Sequence, residues 1–184
     1  MKVEEFPMQV IDLSFEISEK LQVFPGSPQP LFVKWTKYEV QSYDSEIMMM
    51  STHTGTHIDA PSHFIPQSKS IDMIEVERFA CPALHLRIPK GANELITLED
   101  IRDIRQIERG FAIIFSTGWH KMATRDFYMI NNPGLSSEAA EFLAEKKVDA
   151  VGIDSPSIDS GADPLFSCHR ILLSKDIFIV ENLC

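Results

Sequence analysis

No stretch of this chain approaches the roughly 18 consecutive apolar residues that a membrane-crossing helix needs, so no membrane partner is expected. Cysteine is scarce. Cys81, Cys168 and Cys184 are three in number with no CxxC spacing, which argues against a disulfide framework and a zinc ribbon. Basic residues fall short of acidic ones, 17 against 27, for a formal charge of -10. A field of that sign repels phosphate backbones and disfavours nucleic acid as a partner. An anionic small molecule is not excluded, because a bound divalent metal reverses the local potential. The amino-terminal Met1-Lys2-Val3-Glu4-Glu5 carries early acids and no apolar core of signal-peptide length. With the cysteine usage, this gives a cytoplasmic expectation. Two catalytic signatures are also missing. There is no helix-borne HExxH, and around Ser155 a GxSxG elbow fails because Ile153 and Ser157 stand where glycines are required. Cys168 adjoins His169, but neighbours on a helix point about 100° apart, which disfavours a Cys-His dyad.

What is present is ordinary globular material. Hydrophobic residues make up 44% and charged ones 24% of 184 residues, enough for one domain, residues 1-184, with a substantial core. Phe24-Pro25-Gly26-Ser27-Pro28-Gln29-Pro30 reads as an irregular loop, since three prolines cannot sit in a regular ladder. Strands are expected over 31-40 and 46-50, then over 83-88, 111-116, 150-153 and 177-180. Between them Thr97, with Asp100 three residues on, reads as a helix cap ahead of an apolar stripe of Leu98, Ile101, Ile104 and Ile107. Ser136 caps a helix to about Lys147, and Asp163-Pro164 starts one through about Leu173. A strand-rich first half followed by alternating strands and helices implies an α/β fold with a mixed sheet.

The chemistry concentrates in His53-Thr54-Gly55-Thr56-His57-Ile58-Asp59-Ala60-Pro61-Ser62-His63. Imidazole and carboxylate are the ligand types that zinc, manganese and iron accept. A continuous helix here is opposed by Gly55 and Pro61, and would put Asp59 about 240° round from His53. A regular strand would give all four side chains one face but hold His53 and His57 roughly 13 Å apart. A turn or bulge near Gly55 resolves the conflict.

Read as HxGTHxDxPxHF, the segment resembles the motif of the metal-dependent cyclase family, which includes bacterial kynurenine formamidase and isatin hydrolase. Phe24-Pro25-Gly26, Thr117-Gly118-Trp119, Gly152-Ile153-Asp154-Ser155-Pro156-Ser157-Ile158-Asp159, His169 and Glu181-Asn182-Leu183 extend the resemblance over nearly the whole chain. The resemblance implies a swivelling β/β/α fold assembled as a homodimer or homotetramer. It implies that His53, His57 and Asp59 ligate one metal, with Asp59 bridging to a second held by His169 and Glu181. His63 would be the catalytic acid/base and Phe24 a substrate-binding residue. The cofactor implied is a divalent metal, zinc first and manganese second, at one or two ions per subunit. The implied activity is hydrolysis of a small aryl formamide or cyclic amide; the competing reading is a non-catalytic metal-binding module. Two departures are expected to matter: Ser27 stands where the family loop carries an acid, and the segment that usually follows ENL is expected to be lacking.

From the residues alone, His169 is expected to point inward, sharing a helix face with Leu165 and Leu172 at i+4 and i+7. Glu181 is expected at the end of a buried strand, where an unpaired carboxylate would be costly. His85, alternating with Leu84 and Leu86, reads as structural or surface-facing, and His120 as a loop residue.

Overall fold

The computed structural model describes residues 9-184, so the acidic start at Met1 to Glu5 lies outside the described residues. The Pro-rich segment at 24-30 is irregular, and the chain first becomes regular in β1 (Leu31-Thr36). This strand ends short of the expected Val40, because the chain turns through α1 (Tyr38-Gln41) before returning as β2 (Ser45-Met49). Side chains hold that tip: Gln41 Oε1 accepts from Lys37 N and Asp44 Oδ1 from Tyr38 N, competing with any continuation of the ladder. The hairpin is antiparallel, with Leu31 opposite Met49 and Val33 opposite Ile47.

After the His/Asp segment, which contributes the short β3 (His57-Asp59), come β4 (Ala83-Arg87) and β5 (Leu95-Ile96). The capping box at Thr97 forms as expected: Asp100 Oδ2 accepts from Thr97 N at 2.8 Å. The helix it opens, α2 (Leu98-Ile101), is a single turn, yet Ile101 and Ile107 of the apolar stripe are both buried. Next are β6 (Ala112-Ser116), β7 (Gly134-Leu135) and α3 (Ser137-Lys146), whose first turn is capped by Ser136 Oγ accepting from Ala139 N. The remaining elements are β8 (Ala150-Ile153), α4 (Ser167-Leu173) and β9 (Phe178-Glu181).

The start of α4 departs from expectation. Asp163 is not its N-cap residue, which is Phe166; the Asp163 carboxylate accepts from Leu165 N in a turn and from Ser167 N at the first residue of α4, and Phe166 takes a left-handed φ of 52°. An Asp-Pro pair serves a turn as well as a helix start, and Phe166 cannot continue a right-handed helix. Leu165 is consequently exposed and does not share a face with His169. Leu172 does lie on the buried side, and His169 points inward as expected.

Five strands form a mixed sheet in the order β3-β9-β8-β6-β4, with β3 antiparallel to β9 and the others parallel. Crossover connections through helices produce the parallel part. Phe115, Val151, Ile153 and Ile179 of the sheet pack against Leu143, Leu172 and Leu173 of α3 and α4. Each such side chain contributes about 1.5-3 kcal/mol on burial. Strand β8 is buried along its whole length, as its continuous apolar run required. Gly152 within it leaves room for a close approach: a Cβ there would lie 2.7 Å from Ile114 Cδ1 and 3.0 Å from Leu183 Cδ1. The end of the chain is thereby seated across the sheet, one residue past the Glu181-Asn182 pair. No helix among the described residues is long and apolar enough to cross a membrane.

Candidate metal centre

The sheet edge explains why the early and late candidate residues meet. His57 and Asp59 are two apart on β3, so their side chains share a face. His57 is the cross-strand partner of Glu181 in the antiparallel β3-β9 pair, which brings the Glu181 side chain onto that face too. His57 Nε2 lies 3.5 Å from Asp59 Oδ1 and 3.6 Å from Glu181 Oε2. The expected break precedes the strand. Gly55 has φ 66°, and the turn it permits brings His53 Nδ1 to 2.8 Å from Asp59 Oδ1. His169 reaches in from α4, its Nε2 lying 3.2 Å from both Asp59 Oδ2 and Glu181 Oε1. His63, on the 3-10 turn after Pro61, stacks its ring on that of His53 at a centroid distance of 4.0 Å. All six residues proposed as ligands or acid/base therefore converge.

Two atoms test whether this set suits a metal. His57 Nε2 and Asp59 Oδ1 are buried with no hydrogen-bond partner among the described residues. The carbonyl oxygen of Gly55 lies 2.9 Å from His57 Nδ1; a carbonyl only accepts, so Nδ1 carries the proton and Nε2 turns a lone pair toward Asp59. The close approach of His53 to Asp59 Oδ1 lacks hydrogen-bond alignment. Leaving such groups unsatisfied costs about 1-3 kcal/mol each, and a divalent cation among them removes the cost. Donor atoms of His53, His57 and Asp59 lie within 4.8 Å of one another, and so do those of Asp59, His63 and His169. The residues present thus fit one or two ions in chemistry and in spacing.

Charge balance follows the same geometry. Burial alone would raise the pKa of Asp59, but the hydrogen-bonded His169 and the close imidazoles of His53 and His57 hold it well below the usual carboxylate range. The Asp59 carboxylate raises the pKa of His53. For His169, burial works downward, yet Glu181, Asp159 and Asp59 together raise its pKa well above 6.5. His63 behaves oppositely: burial pushes it down to about 4, against the pull of Asp59. It is neutral at pH 7, the state in which an imidazole accepts a proton.

A cavity of about 210 Å³ opens over the cluster. Phe24, Phe64, Met129 and Phe166 line it beside His53 and His63, and Ser27 reaches its edge. Phe24 is 41% exposed, with its ring 6.3 Å from that of Phe166, so it stands at the rim. His85 is exposed on β4, as expected. His120 does not line the cavity; its Nδ1 is 2.8 Å from Asp154 Oδ2. Asp154 is buried and also accepts from Thr117 N, Thr117 Oγ1 and Gly118 N, which fixes the Thr-Gly-Trp turn.

Sequence reasoning assigned no role to four residues that brace the cluster. Asp159 accepts from Cys168 N and His169 N and faces His169 Nδ1. Thr56 Oγ1 accepts from Phe15 N and donates to the carbonyl of Asn182. Tyr128 donates from its hydroxyl to Asn182 Oδ1 at 3.0 Å, and burial raises its pKa. Asp159 and Asn182 both lie in segments singled out above, but their partners are remote in sequence.

Comparison with known proteins gives a consistent set of relatives. The model of the Cyclase family matches residues 11-160. A kynurenine formamidase of Bacillus cereus is 33% identical over 187 residues, covering 100% of this chain and 84% of the relative. A kynurenine formamidase of Geobacillus thermodenitrificans is 32% identical, covering 94% of this chain and 81% of the relative. Among solved structures, a predicted metal-dependent hydrolase from Bacillus stearothermophilus aligns with a TM-score of 0.79 at 28% identity, over 95% of this chain and 82% of the other. Isatin hydrolase A from Labrenzia aggregata aligns with a TM-score of 0.85 at 24% identity, over 95% and 80%, a likeness of fold.

Proposed function

The chain belongs to the Cyclase family, and from that premise we propose that it is a metal-dependent hydrolase of a C-N amide bond in a small aryl formamide or cyclic amide. The carrying observation is the pair of buried, unpartnered atoms His57 Nε2 and Asp59 Oδ1 facing each other. Metal-dependent hydrolase and kynurenine formamidase relatives support the reading. In this proposal His53, His57 and Asp59 hold one divalent ion, and Asp59, His169 and Glu181 hold a second. Zinc is the first candidate and manganese the second, because imidazole and carboxylate suit both. A divalent ion so held acidifies water and polarises a carbonyl.

The chain's own residues supply the rest. Neutral His63 at the cavity mouth takes the proton from the attacking water as oxygen adds to the amide carbon. It then returns that proton to the leaving nitrogen as the C-N bond breaks. Phe24, Phe64 and Phe166 offer aromatic walls for a planar substrate. The test is metal analysis together with turnover of N-formylkynurenine, formanilide and isatin. Stoichiometric zinc or manganese with hydrolysis of at least one of these is expected. A metal-loaded protein that hydrolyses none of them, and whose ligand binding is unchanged in His63→Ala, overturns the reading in favour of a non-catalytic module.

We further propose that the enzyme is a homo-oligomer built through the hairpin, with residues 1-184 as one domain and the cytoplasm as its setting. Leu31, Val33, Ile47 and Met49 share one face of β1-β2, Trp35 sits at the bulge between Lys34 and Thr36, and all five are at least 43% exposed. A two-stranded hairpin with such a face is marginal by itself. The exposed Tyr38, Val40 and Tyr43 extend this apolar surface around the tip, the kind of patch that an interface between copies covers. A second copy in two-fold contact covers both faces at once. Light scattering is expected to give at least a dimer for the wild type, and monomers for Trp35→Glu combined with Ile47→Glu. A monomeric wild type overturns the assembly.

A further inference from the structure

Resting on the metal-site reading above, we infer that Asp159 is a positioning residue that sets the affinity of the ion held through His169, and that the loop carrying it orients both late-chain ligands together. Two adjacent residues of this loop each hold one ligand. Ile158 N donates to Glu181 Oε1 at 2.7 Å, which leaves Glu181 Oε2 facing His57 Nε2 at 3.6 Å. Asp159 Oδ2 lies in hydrogen-bond contact with His169 Nδ1. A carboxylate facing Nδ1 fixes the proton on that nitrogen and turns Nε2 toward the cluster, where Asp59 Oδ2 and Glu181 Oε1 both lie 3.2 Å away.

Asp159 is built to hold this position. It is 1% exposed, and its backbone N donates to Ser157 Oγ. Its carboxylate also takes the amides of Cys168 and His169, at 2.6 and 3.2 Å. Those are the second and third residues of α4, the amides that an N-cap side chain ordinarily satisfies. The N-cap residue itself, Phe166, offers no such group and sits in a left-handed conformation. Asp163 takes the first amide of α4, and Asp159, seven residues upstream of Phe166, takes the second and third, so the Asp159 carboxylate fixes both the first turn of α4 and how its histidine ring is turned. The ring rotation is therefore tied to the backbone as well as to packing against Phe64, whose ring centroid lies 4.7 Å away. No such charged brace serves His57, whose Nδ1 partner is a neutral carbonyl of its own turn. The two ion positions should accordingly differ in their dependence on Asp159.

The test is equilibrium dialysis of zinc, and separately manganese, against wild type, Asp159→Asn and Asp159→Glu, with thermal unfolding of each in chelator. Two ions are expected for the wild type. In Asp159→Asn one of them weakens by about 10- to 100-fold, the usual cost of losing an outer carboxylate partner, while the other is retained. Asp159→Glu is expected to recover part of the loss. Equal affinity and stoichiometry in wild type and Asp159→Asn overturn the inference, as does loss of both ions in parallel. Should the variants not fold, nitrogen-15 NMR of the zinc-loaded wild type decides: a protonated Nδ1 and a metal-shifted Nε2 on His169 support it, and the reverse assignment overturns it. A wild type that binds no metal refutes the underlying site reading instead, and a single wild-type ion not shifting His169 Nε2 refutes the inference alone.

Discussion

The two halves of the candidate metal centre are held in different ways. The early half, His53, His57 and Asp59, comes from seven consecutive residues around one glycine turn, and two of its atoms lack hydrogen-bond partners. The late half, His169 and Glu181, comes from a helix and the end of a strand. Both of its side chains are braced by the 158-159 loop. A contiguous motif needs only one favourable backbone turn to bring its donors together, whereas donors twelve residues apart on two elements must be fixed by tertiary contacts. The early half is thus compact but unsatisfied without an ion, and the late half is satisfied by protein.

The largest expected effect falls on Asp59, the early-half residue proposed to bridge to the late half. Asp59→Asn should remove a charge from each ion position and weaken both by more than the roughly 10- to 100-fold that an outer partner costs. Metal content after dialysis measures it. Retention of one tightly bound ion would show that Asp59 does not bridge, and that the two halves are independent.

His63 is the next test, because its donor atom is close enough to Asp59 and His169 to act as a ligand. As an acid/base it should leave metal content unchanged in His63→Asn while kcat falls by about 10²- to 10⁴-fold. A parallel fall in bound metal would instead move His63 into the ligand set.

The smallest effect concerns the tie between the halves. Thr56 lies next to His57 and donates to the carbonyl of Asn182, next to Glu181. Thr56→Val leaves that carbonyl and Phe15 N without their partner, at an expected cost of about 1-3 kcal/mol in chemical denaturation. If stability falls but metal affinity is untouched, the β3-β9 pairing alone aligns the halves.

Much of this was legible beforehand because it depends on local rules. The strands over 111-116 and 150-153 appeared within a residue of their expected positions, since continuous apolar runs bounded by turns leave few alternatives. Thr97 and Ser136 cap as their spacing required. The errors lie where one local pattern suits two structures. Asp163-Pro164 is equally a turn, so α4 starts later, and residues 37-40 were drawn into a helix tip by the side chains of Gln41 and Asp44.

The sequence by itself determined the chemistry of the centre: three histidines and an aspartate within eleven residues, and a glycine where an extended strand would have kept the donors apart. Tertiary structure alone decided that Asp159, too, serves that centre. The local pattern marked Asp163, beside Pro164, as the helix start and gave Asp159 no role, yet Asp159 is buried against His169 Nδ1 and Asp163 closes a turn ahead of α4. The physical reason is that a side chain's partners across a sheet or helix depend on register and packing direction, which the cooperative fold fixes and no short window of sequence contains.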